Sequence, residues 1–170
     1  MKVTSAQAAK ILRKLEDERA GLEASENMSR SFKAAVGEDI ESVRPKYDYE
    51  QTQNAISDIE ARIRRLKHEI NMFNTSQVIP EFDMTIDQML VYLPQLSRKH
   101  SKLAEMKCVL PKTRAEYGLR TTSVNIIDYV YANYDIEKVE RDYNEVSDLL
   151  AKAQTALDTV NNTVTFDIDI

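Results

Sequence analysis

The sequence contains no tryptophan, one cysteine, 3 glycines and 4 prolines in 170 residues. Each scarcity excludes a class of architecture. A lone Cys108 rules out an internal disulfide framework, and with only 2 histidines beside it the usual structural zinc sites lack ligands. Little Gly and Pro argues against turn-rich sandwiches and barrels and against low-complexity disorder. No run approaches the roughly 18 apolar residues needed to span a bilayer, and Met1 to Lys10 lacks the apolar stretch of a secretory leader. Net positive charge is missing too. The formal charge is −5 with a pI near 5.2, so the whole molecule exerts no pull on phosphate backbones or anionic lipid. A reduced, cytoplasmic protein with no membrane partner is expected, with nucleic acid possible but not favoured.

What is present favours helices. Charged residues make up 30% and apolar ones 42%, and the length corresponds to one domain, residues 1–170, with a real core. Over 49–73, Ile56, Ile59, Ile63, Leu66, Ile70 and Phe73 alternate spacings of three and four, the seam of a coiled-coil-like helix. Over 136–160 the same pattern runs through Ile136, Val139, Tyr143, Val146, Leu150, Ala153, Leu157 and Val160, after Asp135 as N-cap. A helix over 85–108 uses Ile86, Met89, Leu93, Leu96, His100 and Leu103, with Asp83 or Thr85 to cap it and Pro94 to bend it or end its first part. The segment 5–26 is less regular, with Arg19 on the stripe of Ala8, Leu12, Leu15 and Leu22.

Four rods, each with one narrow apolar stripe, predict a mainly α fold. An antiparallel four-helix bundle, or paired long helical hairpins with short β-segments at the ends, buries those stripes most simply. The tail 163–170, TVTFDIDI, alternates Val164, Phe166, Ile168 and Ile170 with polar residues, the period of a half-buried strand. MKVT and QVIPEF are its expected partners, with Pro80 confining the latter to an edge or bulge. A second ribbon is expected between SRSFKAAV and VNIIDYVYANY. Asn27, Asn74 and Asn161 sit where three helices are expected to stop, and Asn tolerates the left-handed conformation that closes a helix. All three also fit N-x-S/T, but helix termination is the reading adopted.

INMFN followed by MTIDQML resembles the septicolysin-like family of small bacterial helical proteins, in which one helix ends Ile-Asn-x-Thr-Asn and the next opens Thr-x-Asp-x-x-Leu. The matching positions are Ile70, Asn71 and Asn74, then Thr85, Asp87 and Leu90, and QTALDTVNNT is similar to that family's last segment. Phe73 stands where the family has Thr, and the joint after residue 109 is longer and richer in Tyr. The resemblance implies an oligomeric helical bundle with no established activity.

Chemistry-bearing residues are sparse. His100 falls on an apolar stripe and reads as a packed, hydrogen-bonded histidine, while His68 falls toward solvent. Neither follows a Glu by three residues, which excludes the ferritin-like di-iron pattern. Cys108 reads as a small packing residue. Glu16, Glu18, Glu60, Glu69, Glu137 and Asp148 read as wet-face carboxylates beside Lys and Arg, and ARIRRLKH as a solvated face. No glycine-rich phosphate loop or G-x-S-x-G elbow is present. No enzyme and no cofactor are expected. The candidate ligand-binding set is Arg114, Tyr117, Arg120, Tyr129 and Tyr131 of the loop 112–134, joined by Arg44 and Lys46, because cations among flat aromatic faces suit phosphates and stacked bases. The expected role is a scaffold or protein-interaction module that self-associates, a dimer being favoured. The alternative is a nucleotide- or nucleic-acid-binding module built on those Arg and Tyr residues.

Overall fold

A computed structural model describes residues 1–115 and 128–169 of the chain. The fold is mainly α with short two-stranded antiparallel ribbons. The described elements, in chain order, are β1 (Lys2–Thr4), α1 (Ser5–Ser29), α2 (Ile40–Val43), α3 (Tyr49–Ser76), β2 (Val78–Ile79), β3 (Met84–Thr85), α4 (Ile86–Lys107), β4 (Lys112–Arg114), β5 (Tyr129–Tyr131), α5 (Ile136–Thr163) and β6 (Thr165–Asp167). They divide into two compact units: Met1–Val78 with Asp158–Ile170, and Ile79–Leu157.

Unit 1 is an α1–α3 helical hairpin closed by a ribbon. Its helices run antiparallel, since Gln53 donates to Glu26 at 2.7 Å while Lys67 pairs with Glu16 at 2.9 Å. The α3 seam behaves as its spacing requires: Ile59, Ile63, Leu66 and Phe73 are buried, and α3 runs 28 residues, about 42 Å at 1.5 Å per residue. Ile59, Ile63 and Leu66 share one core with Val3, Ala8, Leu15 and Ile168. The less regular α1 contributes only Ala8 and Leu15 as buried residues, and Arg19 on its stripe turns to Glu23 at 3.5 Å. Thr4 starts α1 with a reciprocal capping box to Gln7, which satisfies two amides that no helical carbonyl reaches.

The alternating tail finds its partner in MKVT. β6 pairs antiparallel with β1, Val3 opposite Phe166, while the N-terminal ammonium donates to the Ile168 carbonyl at 2.8 Å. Ile168 is buried and Phe166 half-buried, with Thr165 and Asp167 outward, as a period of two demands. QVIPEF does not join this ribbon; β2 pairs locally with β3.

In unit 2, α4 and α5 are also antiparallel neighbours: the Tyr143 ring stacks on His100 at 4.6 Å, and the Tyr134 hydroxyl donates to the Met106 carbonyl at 2.9 Å. Met89, Leu96 and Leu103 are buried along α4, as are Val139, Val146, Ala153 and Leu157 along α5. Asp135 caps α5 through the Lys138 amide at 3.1 Å, and Thr85 caps α4 through a second capping box, with Gln88.

Several expectations are corrected. Helices α1, α3 and α5 run two residues past Asn27, Asn74 and Asn161. The helical ladder continues there: Arg30 donates to Glu26, Gln77 to Phe73 and Val164 to Val160, and among described non-glycine residues only Glu81 and Asp83 take positive φ. Of the two outcomes expected at Pro94, ending the first part of α4 is the one corrected, since the helix is continuous from Ile86 to Lys107. The proline costs one hydrogen bond, to the Leu90 carbonyl, on a stretch of α4 where both residues are exposed. SRSFKAAV forms no strand; β5 pairs instead with β4, because a partner 15 residues away costs less closure entropy than one about a hundred away. Cys108 is exposed as the C-cap of α4 and packs into no core.

The interruption between α3 and α4 is a corner. β2 and β3 flank Pro80 to Asp83, with Phe82 donating to the Ile79 carbonyl at 3.4 Å and φ of 75° at Glu81 and 49° at Asp83. Such conformations are uncommon for residues with a Cβ.

Candidate functional site

The β4–β5 ribbon carries the described part of the sequence-predicted site. Its register sets Lys112 opposite Tyr131, Thr113 opposite Val130 and Arg114 opposite Tyr129. Side chains alternate across a ribbon, so Lys112, Arg114, Tyr129 and Tyr131 share one face while Thr113 and Val130 share the other. The Lys112 ammonium lies 4.0 Å from the Tyr129 ring centroid and 5.5 Å from that of Tyr131, and the two rings are 6.5 Å apart. Cation–π attraction thus holds the lysine over the rings. All six ribbon residues are exposed, Tyr129 at 46%, Val130 at 59% and Tyr131 at 61%, and Val109 and Leu110 just before the ribbon are exposed as well. Lys112, the residue that organises this face, was absent from the predicted set. Its i, i+2 spacing to Arg114 is visible in the sequence, but its place over the two rings follows only from the register.

The other predicted residues fall elsewhere. Tyr117 and Arg120 lie outside the described residues. Arg44 and Lys46 belong to unit 1, in the α2–α3 connection. Lys46 is exposed. Arg44 is engaged locally: its Nη2 is 2.7 Å from Glu41 Oε1, its Nε donates to the same carboxylate, and its guanidinium lies 5.4 Å from the Phe32 ring centroid. Hydrogen bonding and then charge attraction lower the Glu41 pKa and raise that of Arg44, so this arginine is already supplied with an anion. Nearby, the Tyr47 hydroxyl donates to Glu26 at 2.6 Å, and this hydrogen bond, followed by desolvation, pushes the phenol pKa up to about 12. These contacts fasten the α1–α3 connection and engage both Arg44 and Tyr47 within it.

Unit 1 also has an open cleft of about 360 Å³ where α3 meets β6, lined by His68, Glu69, Met72, Phe73, Ser76, Phe166 and Asp167. Two of the lining residues, Phe73 and Phe166, stack with ring centroids 4.4 Å apart. His68 is exposed there, as its position between stripe residues implies. Glu69 departs from the wet-face reading: its Oε1 accepts the Asp169 amide at 3.0 Å and anchors the tail, while Oε2 is buried without a hydrogen bond. His100 is half-buried against Tyr143, whose ring centroid is also 3.7 Å from the Lys107 ammonium. Among the described residues no group of three His, Cys, Asp or Glu side chains is placed to hold a metal ion, and no helix is long and apolar enough to cross a membrane.

Fold and surface together define a mainly helical protein of two helical-hairpin units with exposed or core-closing ribbons. It is similar to a functionally unknown conserved protein from Corynebacterium diphtheriae, whose crystal structure superimposes with a TM-score of 0.62 over 98% of this chain and 100% of that one, at 14% identity. At that identity the likeness is one of fold. No family model matches the chain, and neither does any curated protein.

Proposed function

We propose that the chain is a non-enzymatic helical scaffold or interaction protein that self-associates, with the β4–β5 ribbon as its contact element. The observation that carries this reading is the exposure of every ribbon residue, with Tyr and Val at strand positions where a core-forming ribbon would bury one face. The β1–β6 ribbon is the contrast, since Val3 on β1 and Ile168 just past β6 are both buried. An isolated two-stranded ribbon is marginal in water, and exposed Tyr clusters are typical of contact surfaces. The septicolysin-like resemblance points the same way, since it implies an oligomer. Sedimentation equilibrium from about 10 to about 500 μM tests it, a range that covers weak to moderate association. A concentration-dependent rise in mass is expected, and a strict monomer throughout refutes it.

A second reading follows from the other property of the same face, two phenol rings beside Lys112 and Arg114. That combination suits a nucleotide or single-stranded nucleic acid. Lys112 already covers the Tyr129 ring, and the net charge is −5, which places this reading second. Fluorescence anisotropy with a labelled single-stranded oligonucleotide at low salt decides it. Binding weakened by Arg114→Ala and Tyr131→Ala supports it, and unchanged binding in both variants ends it.

A further inference from the structure

We propose that two copies of the chain pair through β5, strand against strand about a twofold axis at Val130, to make a four-stranded antiparallel sheet ordered β4, β5, partner β5, partner β4. This deepens the self-association reading and rests on it.

One edge of β5 keeps its backbone groups free among the described residues. Beyond the register pairs, Ala115 N–H donates to the Asp128 carbonyl at 2.9 Å and Ala132 N–H to the Pro111 carbonyl at 3.2 Å. Hydrogen-bonded and non-hydrogen-bonded pairs alternate along an antiparallel ladder. Residues 128, 130 and 132 therefore turn their amides and carbonyls toward β4, and Tyr129 and Tyr131 turn theirs the other way. Among the described residues no strand pairs with that second edge. It presents two donors and two acceptors in a row, the arrangement that recruits another strand.

Sequence symmetry then selects the occupant. Tyr-Val-Tyr reads the same in both directions. With Val130 opposite its own copy, each Tyr129 faces a Tyr131 of the other chain. Both are outward-pointing residues, so each such pair exchanges two N–H···O bonds and all four edge groups on each strand are satisfied. Shifting the register by one residue sets an outward-pointing residue against an inward-pointing one and loses the bonds. The other edge of the ribbon is unsuited to the same symmetry, because β4 is Lys-Thr-Arg and twofold pairing through Thr113 sets Lys112 opposite Arg114, cation against cation. In the β5 arrangement the four phenol rings form one central band, flanked on β4 and its copy by the cations that already sit beside them. The contact is isologous and closed, with no tendency to extend into fibres.

Three-residue strands make a contact smaller than a standard interface, which places the dimer among weak, transient associations. The test uses the full chain with Cys108→Ser, which removes the only native thiol. In that background Val130→Cys places two thiols across a non-hydrogen-bonded pair, where the Cα separation of about 4.5 Å lies within disulfide range. A mild oxidant is expected to cross-link Val130→Cys rapidly and Thr113→Cys, one strand further out, at least about tenfold more slowly. Val130→Lys sets like charges on the axis and is expected to raise the dissociation constant about tenfold or more with unchanged helicity. Association that persists in Val130→Lys, or equal cross-linking at both positions, overturns the β5 pairing while leaving self-association standing. A monomer at every concentration removes both.

Discussion

Replacing Leu66 with Ala is the sharpest test of the unit 1 core. Leu66 is fully buried on α3 among Val3, Ala8, Leu15, Ile59, Ile63 and Ile168, contributed by two helices and both chain ends. The change removes three carbons, about 2.4 kcal/mol at about 0.8 per buried methylene. The space left behind adds about 24 cal/mol per Å³. Two long helices clamped by the Glu26 and Glu16 contacts have little freedom to close over it, so the expected total is about 3 to 4 kcal/mol. Lys67→Ala is the internal control. That residue is next in sequence and makes a 2.9 Å ion pair with Glu16, but the two side chains are 53% and 43% exposed, and such pairs contribute under about 1 kcal/mol. Urea unfolding followed by far-ultraviolet circular dichroism measures both. A loss below about 1.5 kcal/mol for Leu66→Ala, or equal losses for the two variants, would refute the packing argument, since large-to-small core changes cost about 2 to 5.

Other consequences are as direct. Tyr47 holds its proton because the phenol donates to Glu26, raising its pKa from 10.0 to about 12; the associated stability is complete below pH 10 and is lost as pH climbs through about 12. Denaturation midpoints taken across that alkaline window should fall in the wild type, and Tyr47→Phe should remove this component; an identical alkaline profile in the variant contradicts the assignment. Thr85→Ala breaks the α4 capping box, in which Gln88 N–H donates to the Thr85 hydroxyl at 3.3 Å, and should cost about 1 kcal/mol, whereas Thr85→Ser should cost only a few tenths because serine caps as well. Cys108, exposed at the end of α4, should react fully with a thiol reagent under native conditions with no change in circular dichroism. Reaction only after unfolding would show it packed.

The legibility of the fold divides along the range of the interactions. α3 could be read because its stripe is local: spacings of three and four fix one face whatever lies opposite, and Ile59, Ile63, Leu66 and Phe73 are buried as that face requires. Asp135 and Thr85 were legible as caps for the same reason, a side chain satisfying amides two or three residues away. Asn27, Asn74 and Asn161 misled because a propensity for the left-handed conformation is weak, and continuing the helical ladder outweighs it. The candidate site was only partly legible. Tyr129, Tyr131 and Arg114 stand out as residue types, but their common face with Lys112 exists only once β4 and β5 pair in one register.

The amino-acid sequence alone determined that this is a mainly helical chain without an internal disulfide framework, with one apolar seam per long helix and a tail patterned for a strand. Those properties depend on neighbours within one or two turns. Tertiary structure decided what no local pattern encodes: that the tail lies against residues 2–4, that Glu69 receives it, and that β5 turns to β4 with its other edge open among the described residues. Periodicity specifies which side of an element is apolar. Only the folded chain, by bringing distant segments within hydrogen-bonding range, specifies what that side meets and which groups are left to meet something else.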